Sequence, residues 1–306
     1  MAEAESIAAL SGSEAHRVLQ PARYGGRAGS ADEFVSVVCA LAERDGSLGW
    51  LTTTFNAAAP ELAKLPQPVL DEVWGTNSGA LIATTFRGLG ELGSNHTLTG
   101  RWGSVVGAEY ADWLLLPAAH DGPVRVLVPC TAVRTERTAE DLGGLDAAGI
   151  LDVSVSALEV DARHVFRGGN GQALIAVIGA AAAVVGSADG IWRKHVSQVR
   201  ARLATSSGGD DVSDAAAAQV AWAASDIDAA RLQLTAPDDL AAAIRIHRQA
   251  VARARDAADR LLEHSRHALD ASDAVTRAWR DVHAGCQIAA QLVEGLSIGH
   301  LQERDA

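Results

Sequence analysis

Two short stretches of this 306-residue chain have residue types and spacing suited to chemistry. Gly88-Leu89-Gly90-Glu91-Leu92-Gly93 has the GxGxxG spacing of a dinucleotide loop. That reading needs a helix directly after the loop, so that its amide dipoles meet a pyrophosphate. Ser94-Asn95-His96-Thr97-Leu98-Thr99-Gly100 follows instead, which is turn and strand chemistry, so the stretch reads as a β-hairpin loop. Glu263-His264-Ser265-Arg266-His267 sets two imidazoles three apart on a helix. A zinc or di-iron site in a bundle needs matching carboxylate and His ligands on facing helices. The other long helices lack a Glu-x-x-His pair, so a solvated face and no metal is the expectation. Arg253, Arg255, Asp256, Asp259 and Arg260 read as a surface ion-pair stripe. No GxSxG, SxxK or Cys–His nucleophile signature appears.

The elements that would position any site change period twice along the chain. Residues 1–78 are mostly helical: Phe34, Val37, Val38 and Leu41 recur at i, i+3, i+4 and i+7. Pro60, Pro66 and Pro68 break up the next stretch, and Pro66 to Trp74 can hold a short helix. Residues 79–168 are strand-like: Ala80–Phe86, Thr97–Val106, Trp113–Ala118, Val124–Val128 and Val153–Val160 are short and bounded by Gly, Asp or Pro. Residues 169–306 are alanine-rich and helical, in segments at about 171–204, 211–234, 238–269 and 272–301. Thr235 and Asp238 have capping-box spacing at the start of the third. The expected fold is therefore α+β and mainly α: N-terminal helices, a small central β-barrel and a C-terminal antiparallel four-helix bundle. Helices this long and alanine-rich also suggest burial between subunits, as a dimer or tetramer.

Composition narrows the function classes. With 26 basic and 38 acidic side chains the net charge is -12, which argues against nucleic acid binding. The longest apolar run, Ala173 to Gly186, is short for a membrane span. The MAEAESIAAL start is acidic, unlike a signal peptide. Three scattered cysteines, Cys39, Cys130 and Cys286, fit neither a zinc ribbon nor a disulfide scaffold, and a reducing cytoplasm is the expected compartment.

Six stretches, taken in order, resemble the acyl-CoA dehydrogenase superfamily, and most closely its reduced-flavin-dependent monooxygenase branch. They are Pro21-Ala22-Arg23-Tyr24-Gly25-Gly26, Asp45-Gly46-Ser47-Leu48-Gly49-Trp50, Glu72-Val73-Trp74-Gly75, Leu98-Thr99-Gly100-Arg101-Trp102, Ala111-Asp112-Trp113 and Arg277-Ala278-Trp279-Arg280-Asp281-Val282-His283-Ala284. Against the family pattern the chain is shorter at its N-terminus and near Phe166. The resemblance implies FMN or FAD, supplied reduced by a separate flavin reductase, bound between the barrel and the bundle of a tetramer. It implies oxidation of a bulky apolar or aromatic small molecule. It also leaves two alternatives: a subunit paired with a homologous partner in an acyl-CoA dehydrogenase heteromer, or a homologue that has lost catalysis and acts as a binding protein.

Carried over residue by residue, the resemblance puts Trp102, Val106, Gly107, Ala108, Ala148 and Gly149 at the cofactor and Trp50 in the substrate pocket. Several polar family positions are apolar here. Val106 stands for the Ser of W-x-F-x-S-G, the loop Gly144 to Ile150 has lost its hydroxyls, and a family His falls on Ile288. Ser104, Asn56 and His283 are the nearby residues left to serve as catalytic groups.

Overall fold

The computed structural model describes residues 8, 10, 12–205, 212–235, 237, 239–265 and 270–304, the last eight by backbone alone. Helix α1 (Ala31–Arg44) starts where Ser30 Oγ accepts the Glu33 N–H. Helix α2 (Gly46–Ala57) starts where the Asp45 carboxylate accepts the Ser47 N–H. Every residue of α2 is buried, hydroxyls included. Thr52 and Thr53 satisfy their hydroxyls on the Leu48 and Gly49 carbonyls one turn back. Short helices α3 (Ala59–Leu62) and α4 (Gln67–Leu70) follow, the latter running into a π-turn at Asp71–Gly75.

The middle of the chain forms one eight-stranded mixed sheet: β1 (Ile82–Thr84), β2 (Gly90–Leu92), β3 (Thr97–Val105), β4 (Trp113–Ala119), β5 (Pro123–Pro129), β6 (Arg134–Arg137), β7 (Leu151–Glu159) and β8 (Val165–Phe166). Strand order is β6-β7-β3-β2-β4-β5-β8, with β1 parallel to β4. The end strands β6 and β8 are not hydrogen-bonded to each other, so the expected barrel is an open one. Gly88 to Gly93 does enter an antiparallel hairpin, β2 against β3, and no helix follows it. Trp102 is fully buried beneath this hairpin, its indole N–H donating to the Pro117 carbonyl at 3.0 Å. A Cβ on Gly100 would come within 2.8 Å of the Trp102 ring, so the hairpin closes over it only with glycine.

Four long helices form the bundle: α5 (Asn170–Thr205), α6 (Asp214–Gln233), α7 (Leu240–Glu263) and α8 (Ala274–Arg304). Asp239 caps α7, its carboxylate accepting the Ala242 N–H; this replaces the expected Thr235 cap, and Asp238 lies outside the described residues. His267 also lies outside them, while His264 bonds the Arg260 carbonyl of its own helix. Among the described residues no cluster of three or more His, Cys, Asp or Glu is placed to hold a metal. Helix α5 is long and apolar enough to cross a bilayer by length and composition, but 94% of its most apolar stretch is buried within the protein.

Helix α5 packs on α1 and α2 through glycine. A Cβ on Gly186 would lie 2.5 Å from the Cys39 carbonyl oxygen, and one on Gly190 2.3 Å from that of Glu43. The contacted atoms are backbone and cannot move aside alone. Gly186→Ala is expected to lower stability by about 2 kcal/mol or more in chemical denaturation. Gly75→Ala, with its nearest neighbour at 3.5 Å, is the matched control and should shift stability by only about 0.5 kcal/mol.

Candidate active site

The N-terminal helices, the sheet and the bundle meet around a cavity of about 530 Å³, its open mouth included. Helix α2 contributes Trp50, Thr53, Thr54 and Ala57, one stripe at i, i+3, i+4 and i+7. Thr84 at the end of β1 and the following Thr85, Phe86 and Arg87 form a second wall. Ser104 comes from a bulge in β3, where the pairing with β7 slips between Trp102 and Val105 and Ser104 takes φ +50°, and Val106 follows directly after the strand. Ile288, Gln291 and Leu292 close the cavity from α8. Helix α8 comes this close because a Cβ on Gly295 would lie 2.2 Å from the Phe86 carbonyl oxygen.

The interior is apolar with a few oriented polar groups. Thr54 Oγ1 lies 3.3 Å from the Val106 carbonyl, and Thr84 Oγ1 donates to the Leu115 carbonyl at 3.1 Å. Thr54 Oγ1 also accepts the Thr84 N–H at 3.4 Å and Thr84 Oγ1 accepts from Gln172 Nε2, which leaves each hydroxyl one lone pair to accept from a ligand. Trp50 is 4% exposed and its indole N–H has no acceptor. Such a buried orphan donor costs about 1–3 kcal/mol unless something binds it.

At the mouth, Arg87 grips Glu140 in a two-pronged ion pair, 2.7 Å from Nη1 to Oε2 and 2.5 Å from Nη2 to Oε1. Ser104 Oγ and Gln291 Nε2 both donate to the same Oε2 at 3.1 Å. The Arg87 bonds hold the Glu140 carboxyl down at about 2.

The expected site residues separate into two groups. Trp50, Ser104 and Val106 line the cavity, as does Ile288. Asn56 is fully buried on another face of α2, accepting the Leu19 N–H and donating to the Ala15 and Thr52 carbonyls. His283 lies on the seam of α7 and α8, its Nε2 2.7 Å from Asp259 Oδ1 and its ring against Trp279. Neither is brought to the cavity. Trp102 sits in the sheet core. Gly107 donates its N–H to the Ala148 carbonyl, Ala108 to Val105, and Glu109 to the Gly149 carbonyl, so Gly107, Ala108, Ala148 and Gly149 form an internal lock. A Cβ on Gly107 would meet the Phe55 ring at 2.9 Å, and one on Gly149 the Tyr110 ring at 2.5 Å. Neither the family pattern nor the spacing of residues points to Thr53, Thr54, Thr84, Thr85, Arg87 and Gln291, which line the cavity, or to Glu140, which is bonded to its rim. The threonine runs Thr52-Thr53-Thr54 and Thr84-Thr85 were the available signal, being hydroxyl-rich within apolar elements.

No protein-family profile matches the chain. It is 27% identical, over 92% of its length and 86% of the relative's, to the oxygenase subunit HsaA of a flavin-dependent monooxygenase of Rhodococcus jostii. The crystal structure of the 3-HSA hydroxylase from a Rhodococcus species superposes with a TM-score of 0.82 at 26% identity, covering 92% of this chain and 84% of that one. The protein has the acyl-CoA dehydrogenase fold. XiaF from Streptomyces, solved with FADH2 and glycerol, shares that fold with a TM-score of 0.80 at 22% identity, over 96% of this chain and 88% of that chain. The homologues of this acyl-CoA dehydrogenase-fold chain are oxygenase subunits of flavin-dependent monooxygenases.

Another part of the fold ties the loop before β7 to the bundle: Leu145 donates its N–H to Asp281 Oδ1 at 2.8 Å. Burial pushes the Asp281 carboxyl up to about 6, Asp45 and Asp146 add to the rise, and the Leu145 N–H and Lys194 oppose it. A carboxyl whose folded value is raised stabilises fully below its unfolded value of about 4, and that stability is lost as pH climbs through about 6. Asn at this position still accepts the Leu145 N–H. Asp281→Asn should therefore remove roughly 2 kcal/mol of the stability loss seen between pH 4 and 7, measured by urea denaturation of both proteins across that range.

Proposed function

We propose that this protein is the oxygenase component of a flavin-dependent monooxygenase, acting on a bulky apolar or aromatic small molecule with a reduced FMN or FAD delivered by a separate reductase. The observation that carries the reading is the cavity itself. It lies where N-terminal helices, sheet and bundle converge, and three positions singled out by the family resemblance, Trp50, Val106 and Ile288, share its wall. Its lining suits the donor and acceptor edge of an isoalloxazine, with the orphan Trp50 N–H as donor and the Thr53, Thr54, Thr84 and Thr85 hydroxyl oxygens as acceptors. A reduced flavin held there supplies two electrons to dioxygen, one oxygen atom entering the substrate and the other leaving as water.

The chain's own work is binding, orientation and exclusion of water. Phe86, Val106, Ala176, Ile288 and Leu292 make the wall apolar, which strengthens each polar contact inside it. None of the fourteen lining residues is a histidine. Ser104 is the one lining hydroxyl bonded to an ionised carboxylate, and we assign it the role of holding a proton at Oγ when Glu140 accepts from it. The exposed Trp222 and Leu232 on α6, at 59% and 82%, support a homo-oligomer that covers them.

Anaerobic titration with photoreduced FMN and FAD tests the proposal. Wild type is expected to bind reduced flavin, and Ile288→Trp, which fills the cavity, to weaken that binding by about tenfold or more while the circular dichroism spectrum is kept. Unchanged affinity in Ile288→Trp would put the flavin elsewhere, and no binding by wild type would remove the enzymatic reading of the isolated chain.

A further inference from the structure

The mouth of the cavity contains a seat for an anion, and one of the chain's own side chains occupies it. Arg87, Ser104 and Gln291 all line the cavity. All three donate to Glu140, which does not line it and comes from the segment between β6 and β7. Glu140 Oε2 alone collects three donors, from Arg87 at 2.7 Å and from Ser104 and Gln291 at 3.1 Å each, while Oε1 takes the second prong of Arg87 at 2.5 Å. The donors themselves are cross-braced: Arg87 Nη1 also reaches Ser104 Oγ at 3.2 Å and Gln291 Oε1 at 3.1 Å. Ser104 is only 8% exposed and is held at positive φ, with its N–H tied to Asp152 Oδ1 at 2.9 Å. The seat is thus built by elements far apart in sequence and has the planar, two-oxygen shape of a carboxylate.

What lies behind the seat defines the rest of the ligand. Trp50, Phe86, Val106, Ile288 and Leu292 give an aromatic and aliphatic chamber opening onto Arg87. The Glu140 side chain, by contrast, is 32% exposed and lies on a segment without regular structure. Moving it aside returns a carboxylate to water, and an incoming carboxylate makes the same bonds in its place. The released Glu140 is hydrated in full and its irregular segment regains conformational freedom, so the exchange favours the incoming carboxylate, and burial of the ligand's apolar body adds to it.

We propose that the Arg87–Ser104–Gln291 seat binds the carboxylate of an apolar aromatic acid whose ring system enters the cavity from its mouth, with Glu140 as the internal stand-in that the ligand displaces. This rests on the reading of the cavity as the place where flavin and substrate meet and narrows the substrate class to acids. A neutral analogue of the same shape leaves the Arg87–Glu140 pair in place and gains nothing from the seat. Glu140 also acts as a built-in competitor, reducing the apparent affinity by the fraction of molecules in which it is seated.

Calorimetric titration of the full chain with 2-naphthoate and with its neutral amide, 2-naphthamide, tests this without any flavin present. Wild type is expected to prefer the acid. Glu140→Gln, which removes the competing charge, should tighten 2-naphthoate by about tenfold and leave the amide unchanged. Arg87→Gln should weaken the acid by about tenfold or more, again sparing the amide, whose retained binding shows that the cavity still forms. Equal affinity for acid and amide in wild type, or no gain for the acid in Glu140→Gln, overturns the proposal. FMN and riboflavin form the second arm: if Arg87→Gln weakens FMN alone and leaves 2-naphthoate as it was, the seat holds the flavin phosphate and the proposal fails. Acid preference in a protein that does not bind reduced flavin leaves the seat standing and removes only the monooxygenase reading.

Discussion

The complete burial of helix α2 sets the terms for the rest of the structure. Twelve consecutive residues from Gly46 to Ala57 have no exposed face, so every polar group among them must find a partner inside the protein. Thr52 and Thr53 turn back on their own helix, Thr54 bridges to β1 and β3, and Asn56 anchors the segment around Ala15 and Leu19. Only Trp50 is left with an orphan donor. Burying a helix on all sides also demands that its neighbours come close, which explains glycine at its contacts. Gly49 leaves 2.5 Å between its absent Cβ and that of Ala42, and Gly179 on α5 leaves 2.7 Å to Thr53. The cavity is the one stripe of α2 that these neighbours do not fill completely.

This constraint explains which parts of the molecule could be read from sequence. Elements whose period is local were legible: Asn170–Thr205, Asp214–Gln233, Leu240–Glu263 and Ala274–Arg304 fall close to the four alanine-rich segments expected. Residues placed by the family pattern, Trp50, Val106 and Ile288, share the cavity wall. Asn56 and His283 are near such positions along the chain, but helix geometry turns them away from the cavity. Six residues on from Trp50 is a rotation of about 240°, and five back from Ile288 is about 140° the other way, so both side chains leave the cavity stripe. Nearness in sequence is a poor guide on a helix.

The polar rim was hidden for a different reason. Arg87 and Glu140 are 53 residues apart, and Gln291 is a further 151 along the chain from Glu140. Each alone is an ordinary surface residue type, and only the convergence of the β1–β2 connection, the β3 bulge, the segment before β7 and α8 makes them a unit. The bulge itself follows from a conflict. Trp102 must stay in the sheet core, donating to Pro117, while Val106 faces the cavity four residues on. A regular strand would put both on the same face, and slipping the pairing with β7 re-aims the strand between them. Ser104 at φ +50° is the residue that absorbs the slip, and its hydroxyl thereby reaches the rim.

Apolar side chains at Val106 and Ile288 and a shaped cavity with a polar rim are then compatible. Val106 and Ile288 are both buried residues of the cavity wall, and neither brings a charge into it. The charged groups of the site lie at its mouth, where Arg87, Ser104, Gln291 and Glu140 satisfy one another. A charge placed at the mouth can stay partly hydrated, so the water released on binding comes mainly from apolar surface, where its release is favourable. An apolar interior selects by size and shape and a charged rim by charge, so in the proposed reading recognition is divided between two physically distinct regions of one cavity.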